Sequence, residues 1–274
     1  MSTFSAPAPV PAATPGPAAT PAPLRDAATM LRRNLKHALR YPGLSVGTMA
    51  VPVIFLLLFV YVLGRPLAAG IGTGAAYINY LVPGILLMTV TAASTSTAVS
   101  VCTDLTEGIV ARFRTMAISR PSILVGRVIS SVLQTLVSVG LVIGIALLMG
   151  FRPSAGLTGW LAALGLITLL TFAVTWLAVA LGTVSKTPEG ASNIVLPLAF
   201  LPFVGSAFVP TGSMPTVVRV FAEHQPFTPI IETVRGLLMG TPIGDDGIVA
   251  VAWCLGLTVA GYFWATGVFN RQAG

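Results

Sequence analysis

Six stretches of this 274-residue chain run for about twenty residues or more with almost no charge: 44–63, 80–102, 122–149, 156–183, 192–210 and 248–269. A helix of that length crosses the ~30 Å hydrocarbon core of a bilayer. In lipid, a helix satisfies every backbone N–H and C=O within the segment. Arg127 is the single charged side chain in all six stretches. Only 8% of the residues are charged and 55% are hydrophobic, against roughly 25% charged in a soluble domain. The expected fold is therefore an all-α integral membrane protein, with six transmembrane helices forming one domain over residues 42–274.

What precedes that domain divides in two. Residues 1–23 are almost entirely Pro, Ala, Ser and Thr, with prolines at 7, 9, 11, 15, 17, 21 and 23. Such a segment buries too little apolar surface to offset the cost of ordering it and reads as a disordered cytoplasmic tail. The prolines also deny it the continuous apolar stretch of a signal peptide. Across 24–41 the pattern turns helical, with Leu24, Ala28, Leu31, Leu35 and Leu39 on one side and Arg25, Arg32, Arg33, Lys36 and Arg40 on another, until Pro42 ends it. Five basic groups exclude a span. The segment is expected to lie in the cytoplasmic interface, its long basic side chains reaching lipid phosphates.

Basic residues also orient the chain. With the N-terminus inside, eleven of the fifteen Lys and Arg fall in inner segments, leaving Arg65, Arg152, Arg219 and Arg235 outside. The positive-inside rule favours that arrangement, with both termini cytoplasmic. The same distribution explains the net charge of +7 as lipid contact at the ends of apolar runs, with no nucleic acid implied. Tyr61, Tyr80, Trp160 and Trp253 near one set of ends, and Tyr41 and Trp264 near the other, suit aromatic belts. Cys102 and Cys254 fall at opposite ends of their spans, too far apart for a disulfide.

Two connections carry helical signals of their own. The inner one, 103–121, opens with Asp104 and Glu107 at N-cap and N3 spacing and aligns Ile109, Phe113 and Met116 in one apolar stripe before Pro121. It reads either as a solvated loop whose Arg112, Arg114 and Arg120 obey the charge rule, or as a helix that docks on a partner through its stripe. The outer one, 211–247, places Thr228 as an N-cap, Pro229 at the first helical position and Gly240 as a stop. About a dozen residues cannot cross a bilayer, so a re-entrant or interfacial helix is expected.

Catalytic chemistry is hard to find. A Walker A loop needs Gly-Lys before Ser or Thr, but Lys36 follows Leu35 and Lys186 follows Ser185. No nucleotide, metal or other cofactor site follows, and His37 and His224 fall on opposite sides of the membrane. Ion-coupled carriers usually hold a charge at mid-membrane, and the spans offer none there. Transport by this chain would draw its energy from another polypeptide. In the second span Thr89, Ser96, Ser100 and Thr103 share one face. That face serves either close helix packing or a polar seam along a translocation path.

One family pattern covers most of the chain. Asp104, Leu105, Glu107, Gly108, Ile109, Arg112, Phe113 and Arg114, followed by Ser119, Arg120, Pro121, Gly126 and Arg127, resemble the first cytoplasmic loop of the membrane subunit of type-2 ABC exporters, of the daunorubicin-resistance permease kind. Leu81, Pro83 and Gly84, then Phe208, Val209 and Pro210 with Met214 and Pro215, then Pro226, Thr228 and Arg235 extend the likeness; Ala117 and Gln225 depart from it. The resemblance implies an interfacial N-terminal helix, six spans, re-entrant helices outside, and a coupling helix near 107–116 seated on an ATPase subunit.

It further implies two permease copies, or this chain and a sister permease, with two separate ATPases that bind ATP and magnesium, in a bacterial cytoplasmic membrane. Hydrophobic or amphipathic cargo such as a drug, lipid or glycolipid would then leave the cell. A polysaccharide exporter differs only in cargo. A secondary carrier is disfavoured by the uncharged spans, and a membrane enzyme has only Glu223, His224 and Glu232 as an acidic and His grouping.

Overall fold

The computed structural model describes residues 42–62, 64, 74–106 and 120–272. The tail at 1–23, the amphipathic segment at 24–41 with its five basic residues, and the proposed coupling residues from Glu107 to Met116 lie outside the described residues. Every regular element among them is helical: α1 Pro42–Leu57 running into a π-helical turn Leu58–Val62, α2 Gly74–Thr106, α3 Arg120–Leu148, α4 Leu157–Val184, α5 Pro188–Phe200, α6 Thr216–His224, α7 Phe227–Met239 and α8 Asp246–Gln272. Short 3-10 turns at Leu201–Val204 and Thr211–Ser213 join α5 to α6.

Four segments, Tyr77–Thr106, Val125–Leu148, Leu157–Val184 and Asp246–Val268, are long and apolar enough to cross a membrane; Ala50–Val62 and Pro188–Val204 are shorter apolar helices. The fifth expected span, 192–210, is thus not one regular helix. Pro197 lies within α5 and Pro202 within the turn that follows, and each removes a backbone donor and crowds the carbonyl a turn earlier.

Small residues set how closely the helices approach. A Cβ on Gly182 of α4 would stand 2.6 Å from the Ala98 carbonyl oxygen of α2, and one on Gly261 of α8 would stand 2.9 Å from the Leu177 nitrogen of α4. Gly84 of α2 meets Ala207 in the same way, at 2.6 Å from its Cβ. Close backbone approach is the means by which helices associate where lipid supplies no hydrophobic drive. Helices α2 and α4 form the inner pair, while α3 and α8 turn broad apolar faces outward, with Leu141 48% and Phe263 68% exposed.

Helices α2, α3 and α4 run in alternating directions, and α8 runs parallel to α4, with Gly261 against Leu177 and Ala265 beside Val179 and Ala180. The start of α2 lies against the end of α3, where the Arg152 backbone N–H donates to Asn79 Oδ1 at 3.0 Å. The other end of α2 lies against the end of α4, where Cys102 Sγ donates to the Ser185 carbonyl at 3.4 Å. Arg127 and Lys186 share that second end, while Arg152 and Arg235 share the first, a division that follows the one drawn by counting charge. Helix α7 sits deep in the first end, with Phe227, Ile230, Ile231 and Val234 fully buried. Gly240 closes it in the left-handed conformation at φ 67°, the stop its position predicts. Thr228, however, is not its N-cap: Pro226 is, and Thr228 accepts from Gln225 Nε2 at 3.4 Å inside the first turn.

Candidate functional site

A polar cleft of about 270 Å³ lies between α2 and α3. Thr89, Ala93, Ser96, Thr97 and Ser100 line it from α2, and Arg127, Ser130, Ser131, Gln134, Thr135 and Ser138 from α3. Both sets step by three and four residues, the spacing that keeps side chains on one helix face. Eleven residues separate Thr89 from Ser100 and Arg127 from Ser138, so the polar wall runs for about 16 Å, roughly half a hydrocarbon core. The α3 stripe escaped the reading of the sequence, although its signal is regular: Arg127, Ser130, Ser131, Gln134, Thr135 and Ser138 are all polar in an otherwise apolar span.

Within the second span, three of the four singled-out hydroxyls border this cleft. Thr103 does not; its Oγ1 donates to the Val99 carbonyl at 3.0 Å. The same economy governs much of the wall. Thr89 donates to the Ile85 carbonyl at 2.8 Å, Ser96 and Thr97 to the Ala93 carbonyl at 2.8 and 3.1 Å, Thr135 to the Ser131 carbonyl at 2.9 Å and Ser138 to the Gln134 carbonyl at 3.2 Å. Thr97 and Ser131 meet hydroxyl to hydroxyl across the cleft, tying the two helices together. Packing and cavity therefore coexist along one seam.

Asp104 occupies a different place from the one expected. Its spacing to Glu107 suggests the N-cap of a new helix, but α2 continues through Thr106, carried by Val101 and Leu105 packing against Val128, Trp176 and Val179. Asp104 is thus in the last turn of α2, where its Oδ2 accepts from Arg127 Nη1 at 3.3 Å across the mouth of the cleft. Both side chains are about a third exposed, so the ion pair is one that solvent reaches.

At the other end a second arginine is fully engaged. Arg235 of α7 pairs with Glu232 at 2.6 Å, donates from Nη2 to the Ser206 carbonyl at 2.8 Å and from Nε to the Tyr80 carbonyl at 3.2 Å, and lies 3.7 Å over the Tyr80 ring. Tyr80 in turn donates to the Ser206 carbonyl at 2.9 Å. Tyr80 is therefore a packing partner rather than a member of a lipid-facing belt. Glu223, His224 and Glu232 do not converge: Glu223 meets Arg219 at 3.8 Å, His224 Nδ1 contacts the Val220 carbonyl at 2.8 Å on its own helix, and Glu232 is held by Arg235.

Comparison with known proteins places the chain. Residues 26–239 match the family described as ABC-2 type transporter. A daunorubicin resistance ABC transporter permease protein, DrrB1, of Streptomyces coeruleorubidus is 30% identical over 234 residues, 81% of each chain. A probable doxorubicin resistance ABC transporter permease protein, DrrC, of Mycobacterium tuberculosis is 26% identical over 214 residues, 78% of this chain and 77% of its own. With a transporter family matched across most of its length and permeases among its relatives, the chain belongs to the ABC-2 type transporter family as a membrane-embedded permease.

Proposed function

We propose that this permease exports a hydrophobic or amphipathic compound, driven by a separate ATPase, and that the α2–α3 cleft is its loading site. The single observation that carries the reading is a polar wall through about half a bilayer, built from facing polar stripes on two spans around one cleft. Solvating that wall in lipid has a cost, so a ligand path is the economical reason to keep it. The chain crosses the membrane six times, α1 and α5 contributing the two shorter crossings, with both termini in the cytoplasm of a bacterial cell. The mouth at Arg127 then opens inward.

The energy enters through residues 107–116, which join the end of α2 to the approach to α3. Two ATPase subunits bind ATP and magnesium. Their closure, acting on Glu107, Arg112, Phe113 and Arg114, moves α2 against α3 and alters the cleft between them. A second permease, identical or a sister, completes the path. The DrrB1 and DrrC names, which pair ABC permeases with drug resistance, support export of amphiphiles over a purely saccharide cargo.

Reconstitution with the cognate ATPase tests this. Phe113→Ala with Arg114→Ala is expected to abolish transport-coupled ATP hydrolysis while leaving the permease inserted. Transport sustained by a proton gradient without any ATPase defeats the proposal.

A further inference from the structure

The hydroxyls of the cleft do not all offer their protons to a ligand. Thr89, Ser96, Thr97, Thr135 and Ser138 each donate to a backbone carbonyl of their own helix, at 2.8–3.2 Å. A hydroxyl has one proton and two lone pairs. With the proton spent on the backbone, what remains toward the cavity is acceptor capacity. These five hydroxyls make the wall acceptor-rich toward Thr89, Thr135 and Ser138, while Ser100, Arg127 and the Gln134 amide carry donors nearer the mouth.

Charge narrows the choice. Arg127 lines the cleft, whereas Asp104, its partner, stands outside the lining. No carboxylate faces the cavity among the described residues. An acceptor wall alone would welcome an ammonium group as readily as a sugar, but a guanidinium at the mouth opposes a second positive charge.

We propose that the cleft selects an amphiphile whose head is neutral and rich in hydrogen-bond donors, a glycosyl head above all, over heads that only accept and over cationic ones. This deepens the export reading and rests on it. The head seats against Thr89, Thr97 and Thr135, its hydroxyls donating to their lone pairs, and the alkyl or ring portion stays in the lipid.

Three dodecyl probes separate the alternatives: dodecyl maltoside, which is neutral and donor-rich; dodecyl octaethylene glycol ether, which is neutral and nearly donor-free; and dodecylammonium, which is donor-rich and cationic. Each is tritiated and measured at submicellar concentration against the full chain in lipid nanodiscs, with binding to empty nanodiscs subtracted. The maltoside is expected to bind at least about tenfold more tightly than either rival, the ratio that one or two hydrogen bonds supply. Thr135→Val and, independently, the exposed-site change Ser96→Ala are expected to weaken the maltoside alone, while Leu141→Ala on the outward face changes nothing. Arg127→Gln is expected to raise dodecylammonium binding.

Equal binding of maltoside and ether overturns the donor rule, and tighter binding of dodecylammonium than of maltoside overturns the charge rule. Measured in parallel, transport by the Thr135→Val permease assembled with its ATPase tells the two failures apart. Impaired transport without maltoside preference leaves the loading site standing and removes the cargo class; unimpaired transport removes both.

Discussion

Arg127 and Arg235 each face a carboxylate, at 3.3 and 2.6 Å, yet they do opposite things. Arg235 is 12% exposed and spends its donors on Glu232, Ser206 and Tyr80, with the Tyr80 ring beneath it. Arg127 is 35% exposed and, among the described residues, pairs with Asp104 alone. A cation that exhausts its hydrogen bonds inside the fold joins helices. One that keeps capacity at the rim of a polar cleft is available to something that comes and goes. The lesson is that saturation, more than burial or charge, separates an arginine that ties helices together from one that keeps donors free at a cleft.

Removing Arg235 gives the largest expected effect. Arg235→Ala leaves Glu232, itself 37% exposed, and two backbone carbonyls without their cation, and losing these charge-assisted hydrogen bonds is expected to cost about 2–3 kcal/mol, read as a loss of thermal stability in detergent. An unchanged melting temperature would break the contrast at its firm end. Next comes Gly84→Ala, which drives a methyl into Ala207 beside the same cluster and is expected to destabilise by about 1–3 kcal/mol, measured by the same melt.

Arg127→Gln is expected to shift stability by less than about 1 kcal/mol, as for solvent-reached ion pairs generally, while transport by the assembled exporter falls. Stability loss comparable to that of Arg235→Ala would merge the two arginines into one class. Smallest of all is Glu223→Gln, which removes an exposed i,i+4 contact to Arg219 and is expected to change stability by no more than about 0.5 kcal/mol, with transport intact. Loss of function there would revive an active role for the Glu223 and His224 pair.

Much of the helical architecture was readable because apolar length is a strong signal: the observed α2, α3, α4 and α8 overlap the expected stretches closely. Boundaries set by local chemistry were harder. Asp104 carries an N-cap residue type at a capping-box spacing, but the buried stripe of Val101 and Leu105 keeps α2 going past it, so tertiary packing overrides the cap. Thr228 yields to Pro226 in the same way. Half of the cleft was legible, since the hydroxyls of α2 stand out in sequence. Its other half needed the structure, because polar residues on α3 acquire meaning only when a neighbouring helix turns the matching face toward them.

The glycines of α3 are all open, those of its neighbours only in part. A methyl built on Gly126, Gly140 or Gly144 meets nothing within 4 Å, whereas α4 and α8 combine open glycines at Gly165, Gly256 and Gly267 with Gly182 and Gly261, which have no room. Residues of low helix propensity that serve no close contact cost about 1 kcal/mol each relative to alanine, so α3 is built more pliable than its packing demands. Replacing these three glycines by alanine would stiffen the wall that carries Arg127, Gln134 and Thr135. The expected consequence is a hardier but slower pump, in which tolerance to heat is gained at the expense of turnover.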